Sequence, residues 1–70
     1  MKEGIKNRVF EIRQKMGWTQ EELALTVGVT RQTIIALEKG NYIPSVLLAL
    51  KIARWCQQPV EKVFMYHYEK

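Results

Sequence analysis

The chain is 70 residues long, 47% hydrophobic and 26% charged, with a formal net charge of +4 and a pI near 9.5. A chain of this size buries only roughly 60% of its unfolded surface, enough for one core over residues 1–70 and too little for two. One cysteine, Cys56, and one histidine, His67, exclude an internal disulfide and a zinc site of the usual composition, and no other metal or cofactor is implied. The apolar runs fall far short of the roughly 20 residues of a membrane span. The opening MKEGIKNR lacks the apolar run of a signal peptide, so a cytoplasmic protein is expected. The positive charge favours a polyanionic partner.

Almost every segment reads as a short helix with explicit stops. In the first, Asn7 can cap, Val9, Ile12 and Met16 recur at helical spacing, and Gly17 offers a stop. Thr19-Gln20-Glu21-Glu22 has the form of a capping box and opens a second helix whose stripe is Leu23, Ala24 and Val27, closed by Gly28. Only Gly28 and Val29 separate it from Thr30, the next N-cap, so these two helices span about 19–27 and 30–39. Gly40 and Asn41 tolerate the left-handed backbone that closes a helix, and Pro44 makes the stretch from Gly40 a loop. Ser45 caps a fourth helix with Val46, Ala49, Ile52 and Ala53 as its stripe and Leu48 beside it. Pro59 suits the start of a short fifth helix, and the aromatic tail from Phe64 to Tyr68 reads as a strand. Tyr66 and Tyr68 alternate with His67, which predicts one packed and one open strand face.

Two short helices joined by a glycine-containing turn, the second beginning with polar residues, are the arrangement of a helix-turn-helix. At about 100° per residue, Ile34 and Leu37 point inward while Gln32, Ile35, Ala36 and Lys39 point outward, with Arg31 at the edge. Such a face suits the major groove: Gln pairs with adenine, Arg with guanine, and Ala or Ile meets a thymine methyl. Thr30, Thr33 and Gln20 can donate to phosphates.

These residues carry a resemblance. Trp18-Thr-Gln-Glu-Glu-Leu-Ala24, Gly28-Val-Thr-Arg-Gln-Thr-Ile34, Leu37-Glu-Lys-Gly40, Tyr42-Ile-Pro-Ser45 and Leu48-Ala-Leu-Lys-Ile-Ala53 resemble the phage repressor and Cro type of helix-turn-helix regulator, also called the xenobiotic-response-element (XRE) family, over roughly residues 7–64. Within it, the chain looks most like the small bacterial repressors of the cytolysin-repressor subfamily. The resemblance implies an all-α, lambda-repressor-like bundle of five helices that binds an operator in double-stranded DNA as a homodimer. It implies base reading by Arg31 and Gln32, with Ala36 facing the groove, phosphate contact at Gln20, and Thr30, Thr33, Lys39, Asn41 and Tyr42 near the DNA backbone. Terminal strands at Gly4-Ile5-Lys6 and Phe64 to Tyr68 would form a two-stranded antiparallel sheet extending the dimer interface. Leu47 departs from the family pattern, standing where a polar residue is usual.

Other readings of the same residues differ in weight. Ile35 lies near the polar edge and is assigned to the base-reading face rather than the core. Leu47 and Leu50 extend the fourth helix's apolar surface beyond what one core needs and, with Phe64, Tyr66 and Tyr68, are assigned to a subunit interface. Cys56 reads as a small buried hydrophobe and His67 as structural. Trp18 precedes a cap, where a hydrophobic staple belongs, so packing outweighs base stacking for Trp18 and Trp55. Glu21 and Glu22 diverge on a helix, and no phosphate loop or nucleophile motif is present, so an enzyme is not expected. The expected function is a sequence-specific transcriptional regulator, a repressor acting as a dimer on a pseudo-palindromic operator. The alternative is an antitoxin-like or adaptor interaction module with the same fold.

Overall fold

The computed structural model describes residues 2–69, which run β1 (Lys2–Asn7), α1 (Val9–Met16), α2 (Gln20–Val27), α3 (Arg31–Glu38), α4 (Val46–Trp55), α5 (Val60–Val63) and β2 (Phe64–Glu69). The starts of α1 to α4 are bonded by side chains and their ends are closed by backbone, which keeps these helices short. Thr19 Oγ1 accepts from the Glu22 N–H at 3.0 Å, and the Glu22 carboxylate accepts from the Thr19 N–H at 2.8 Å, a complete capping box. Ser45 Oγ accepts from the Leu48 N–H at 3.1 Å and starts α4. At α1, Arg8 occupies the cap position without a side-chain bond, and Asn7 acts from one residue further back, accepting from the Val9 N–H at 3.1 Å. The same amide donates to the Leu37 carbonyl at 2.9 Å, so Asn7 both starts α1 and pins it to the end of α3.

Helices of two turns are marginal alone, and tertiary burial sustains them. Each of the five contributes to one core: Val9 and Ile12 from α1, Leu23, Ala24 and Val27 from α2, Ile34 and Leu37 from α3, Leu48, Ile52 and Ala53 from α4, and Val63 from α5, with Cys56 just beyond α4. Burial raises the pKa of the Cys56 thiol, which stays protonated and donates to the Ala53 carbonyl at 3.4 Å. Two expected stripes are corrected. Met16 is exposed, because it lies roughly 10 Å along the axis from Val9 and has passed the edge of the core. Val46 is 76% exposed, because Leu48 sets the rotation of α4 and a residue two positions away points to the opposite side, about 200° round.

The strands pair antiparallel from Lys2↔Glu69 to Asn7↔Phe64. The base of the sheet joins the body: the Arg8 N–H bonds the Val63 carbonyl at 2.9 Å, and Phe64 packs partly buried against the core. The expected alternation of strand faces is present: Met65 and His67 are half-buried, while Tyr66 and Tyr68 are exposed on the open face. Trp18 packs edge-to-face on Trp55, centroids 5.4 Å apart and planes at 73°, closing the bundle where α2 begins.

The ion pair between Arg13 and Glu38 fixes how α3 sits on the other helices. Their side chains are 8% and 5% exposed, and the contact is bidentate: Arg13 Nε donates to Glu38 Oε2 at 2.7 Å and Nη2 to Oε1 at 3.1 Å. Arg13 Nη1 donates to the Trp18 carbonyl at 2.8 Å, and Gln20 Nε2 donates to Glu38 Oε1 at 3.1 Å. One guanidinium and one carboxylate thus tie α1, the start of α2 and the end of α3 together. A buried pair adds little net stability over an apolar pair of equal volume, but breaking it strands a charge at a cost of about 3–5 kcal/mol. Glu38→Ala is therefore expected to remove much of the roughly 4–10 kcal/mol available to a domain of this size, whereas Arg13→Met combined with Glu38→Leu recovers most of the loss. Urea unfolding followed by the fluorescence of Trp18 and Trp55 measures both.

Candidate nucleic-acid interface

The turn between α2 and α3 is made by two residues. Gly28 adopts φ +78°, a conformation that strains any residue with a Cβ, and the backbone N–H groups of Gly28 and Val29 both reach the Ala24 carbonyl. Thr30 then accepts from the Thr33 N–H at 3.3 Å, and the two threonine hydroxyls lie 3.1 Å apart. With Ile34 and Leu37 fully buried on one side, helical geometry directs Arg31 and Gln32 outward, and both are exposed. Neither has a hydrogen-bond or ion-pair partner among the described residues, so their donors face solvent uncommitted.

Ile35 and Ala36 are half-buried on the same helix, beside the polar start. Gly40, at φ +81°, turns the chain after Lys39, and the Asn41 N–H bonds the Ala36 carbonyl at 2.9 Å, leaving the side chains of Lys39, Asn41 and Tyr42 exposed next to the end of α3. The carboxylates that form ion pairs among the described residues are Glu11, Glu38 and Glu69, so Arg31 and Lys39 keep their positive charge unneutralised.

Gln20 and Arg31 are brought together. They line an open hollow of about 620 Å³, between the end of α1 and the starts of α2 and α3, that also borders Gln14 and Thr19. Gln20 spends one amide N–H on Glu38 and keeps a second donor, at a helix N-terminus whose dipole favours an anion. Residues assigned to a subunit interface divide into separate groups. Leu47 lines a groove of about 190 Å³ with Tyr42 and Lys51, and Leu50 is half-exposed one turn further along α4. Phe64 packs into the chain's own core, and Tyr66 and Tyr68 stack with centroids 6.4 Å apart out on the sheet.

Arg13 and Glu38, which orient this surface, have no role in the sequence reading, where Glu38 stands only within the Leu37-Glu-Lys-Gly40 motif. Arg13 could have been found there: it follows Val9 by four and Ile12 by one, a charge on the face that must be buried.

A short helix, a two-residue turn and a second helix with an uncommitted polar start define a helix-turn-helix of the kind whose second helix enters a DNA groove. The helix-turn-helix family model matches residues 9–61. The HTH-type transcriptional regulator YgzD of Bacillus subtilis is 55% identical over 60 residues, covering 86% of this chain and 91% of that protein. An HTH-type transcriptional regulator of Archaeoglobus fulgidus is 50% identical over 66 residues, covering 94% of each. Among solved structures, the restriction-modification controller protein C.AhdI of Aeromonas hydrophila matches with a TM-score of 0.73 at 29% identity, over 79% of this chain and 83% of that one. The transcriptional regulator VanUg matches with a TM-score of 0.76 over 99% of this chain and 92% of that one, a likeness of fold at 18% identity. The chain belongs to the helix-turn-helix family, of the XRE type: it is a transcriptional regulator whose body is a DNA-binding domain.

Thr30 serves this surface twice, as cap and as an exposed hydroxyl. Thr30→Ala is expected to lower stability by about 1 kcal/mol and Thr30→Ser to restore it, since Ser caps as well. Gly28→Ala is expected to cost about 1 kcal/mol through backbone strain alone, its added Cβ meeting only Lys51 Nζ at 3.9 Å. Thermal unfolding of the three variants checks both values.

Proposed function

We propose that the chain is a sequence-specific repressor that binds a pseudo-palindromic operator as a symmetric homodimer, each protomer laying α3 in the major groove. The observation that carries this reading is the pair Arg31 and Gln32: exposed, without internal partners, at the start of a helix whose opposite face is wholly buried. A bidentate guanidinium matches the O6 and N7 of guanine, and a carboxamide the N6 and N7 of adenine. The half-buried Ile35 and Ala36 let the helix approach closely and meet thymine methyls. Gln20, Thr30, Thr33, Lys39, Asn41 and Tyr42 form the surrounding ring of phosphate contacts, which sets register and supplies the salt-dependent part of affinity. Repression follows from occupying promoter DNA.

The dimer reading is supported by α4. Val46 and Leu50 lie one turn apart on its outer side with Leu47 beside them, exposed to 76, 50 and 64%, and Ile43 in the preceding loop is 66% exposed. Four large aliphatic side chains in one area of so small a chain form the kind of patch that marks an interface. Reading two half-sites one turn of DNA apart requires the two copies of α3 to lie about 34 Å apart in such a dimer.

Selection of binding sites from a random duplex pool is expected to return inverted half-sites centred about one helical turn apart. A stable complex with another protein and no selected sequence would contradict the reading. Arg31→Ala and Gln32→Ala are each expected to cost about 1–3 kcal/mol and to relax preference at one base pair, whereas Lys39→Ala weakens every sequence alike and lowers the salt slope by about 1. Titrations of selected and scrambled duplexes at several salt concentrations separate the two kinds of residue.

A further inference from the structure

The hydrogen-bonding reach of α3 toward bases ends with its first turn. Past Gln32, the polar side chains of the helix are Thr33 and Glu38. The Thr33 hydroxyl is bonded to that of Thr30 at 3.1 Å, and the Glu38 side chain, 5% exposed, is taken up by Arg13 and Gln20. Ile34 and Leu37 are wholly buried in the core. What remains on the outward side, until Lys39 follows the helix, is Ile35 and Ala36, half-buried and without a polar side-chain atom. The helix thus divides into a polar first turn and an apolar second. Arg31 and Gln32 can match donors and acceptors on base edges, whereas Ile35 and Ala36 can meet only the apolar group that a base pair offers in the major groove, the C5 methyl of thymine. The modified base 5-methylcytosine holds a methyl on the same ring carbon and puts it at the same place in the groove. The two pyrimidines differ at O4 of thymine, which accepts, and N4 of cytosine, which donates, and an aliphatic side chain bonds neither.

We infer that the second turn of α3 reads a C5 methyl as such, and that Ile35 accepts 5-methylcytosine in place of thymine at the base pair it faces. This rests on the reading of α3 as the major-groove helix and deepens it: the bound duplex is one whose affinity changes when a cytosine of the half-site is methylated. An unmethylated cytosine at that step leaves Ile35 short of one methyl contact, and methylation supplies it. The methyl alters neither the pairing edge nor the polar major-groove atoms of the pair. The contacts of Arg31 and Gln32 elsewhere in the half-site are therefore undisturbed, and the whole effect passes through the apolar turn.

Equilibrium titration of the whole chain against its selected duplex, with single bases exchanged in one half-site, tests the inference. Deoxyuridine in place of thymidine removes the methyl and nothing else. At a thymine outside the base pairs whose preference Arg31→Ala or Gln32→Ala relaxes, this exchange is expected to weaken binding about fourfold, the effect of one buried methyl. A cytosine–guanine pair at the same step is expected to bind at least as weakly as the uracil pair, and methylation of that cytosine to recover about fourfold. With Ile35→Ala, the thymine and uracil duplexes are expected to bind alike, as are the methylated and unmethylated cytosine duplexes. Circular dichroism confirms that the variant folds; if it does not, Ile35→Val takes its place and is expected to shrink both differences. A selected half-site with no thymine at any such step, uracil that binds there as thymine does, a methyl on cytosine that recovers nothing, or methyl dependence left whole by the Ile35 variant would each overturn the inference while operator binding stands. A random pool that yields no selected duplex would overturn both.

Discussion

The buried pair of Arg13 and Glu38 is the constraint on which the recognition surface depends. The helices of this chain are eight to ten residues long, apart from the single turn of α5, and the core between them is aliphatic, held by contacts that carry no directional bond. A bidentate guanidinium–carboxylate contact has one good geometry, so it fixes rotation and register where packing alone leaves latitude. Because the carboxylate stands on the last turn of α3 and the guanidinium on α1, the orientation of α3 is set from its far end. That leaves the side chains of Arg31 and Gln32, on its first turn, without an internal partner among the described residues.

The same carboxylate orders the phosphate side of the surface. Glu38 accepts from Gln20 as well as from Arg13, so the amide at the start of α2 is held by the group that positions α3. The Arg13 bond to the Trp18 carbonyl steadies the approach to the Thr19 cap, and the packing of Trp18 on Trp55 covers the joint. In the proposed complex, groups that touch the DNA backbone and groups that touch bases are therefore parts of one rigid unit. Placing the phosphate contacts places the base readers.

Much of the fold was legible because local chemistry and global architecture agree. Thr19, Thr30 and Ser45 each precede an apolar stripe and each caps, and Gly28 stands where a left-handed residue is required. What was not legible depends on the third dimension. Helical spacing puts Met16 on the face of Val9 but does not say where the core stops, and it allows Val46 or Leu48 to lead α4. Alternation shows that Tyr66 and Tyr68 share a strand face but not that theirs is the open one, with Met65 and His67 half-buried on the other. The candidate site was read from polarity at the start of α3, a local signal. Its support by Glu38 was hidden, since an acid at the end of a helix usually faces water, and only the tertiary fold brings Arg13 to it.

Nuclear magnetic resonance mapping of the labelled chain with a selected operator duplex tests the central claim most directly. The account predicts that amide and side-chain shifts move most at Gln20 and from Thr30 to Ala36, that the side-chain resonances of Arg31 and Gln32 acquire intermolecular contacts to base protons, and that two chains bind each duplex. Shifts concentrated on α4 or β2, with the signals of Arg31 and Gln32 unmoved at saturation, would contradict it.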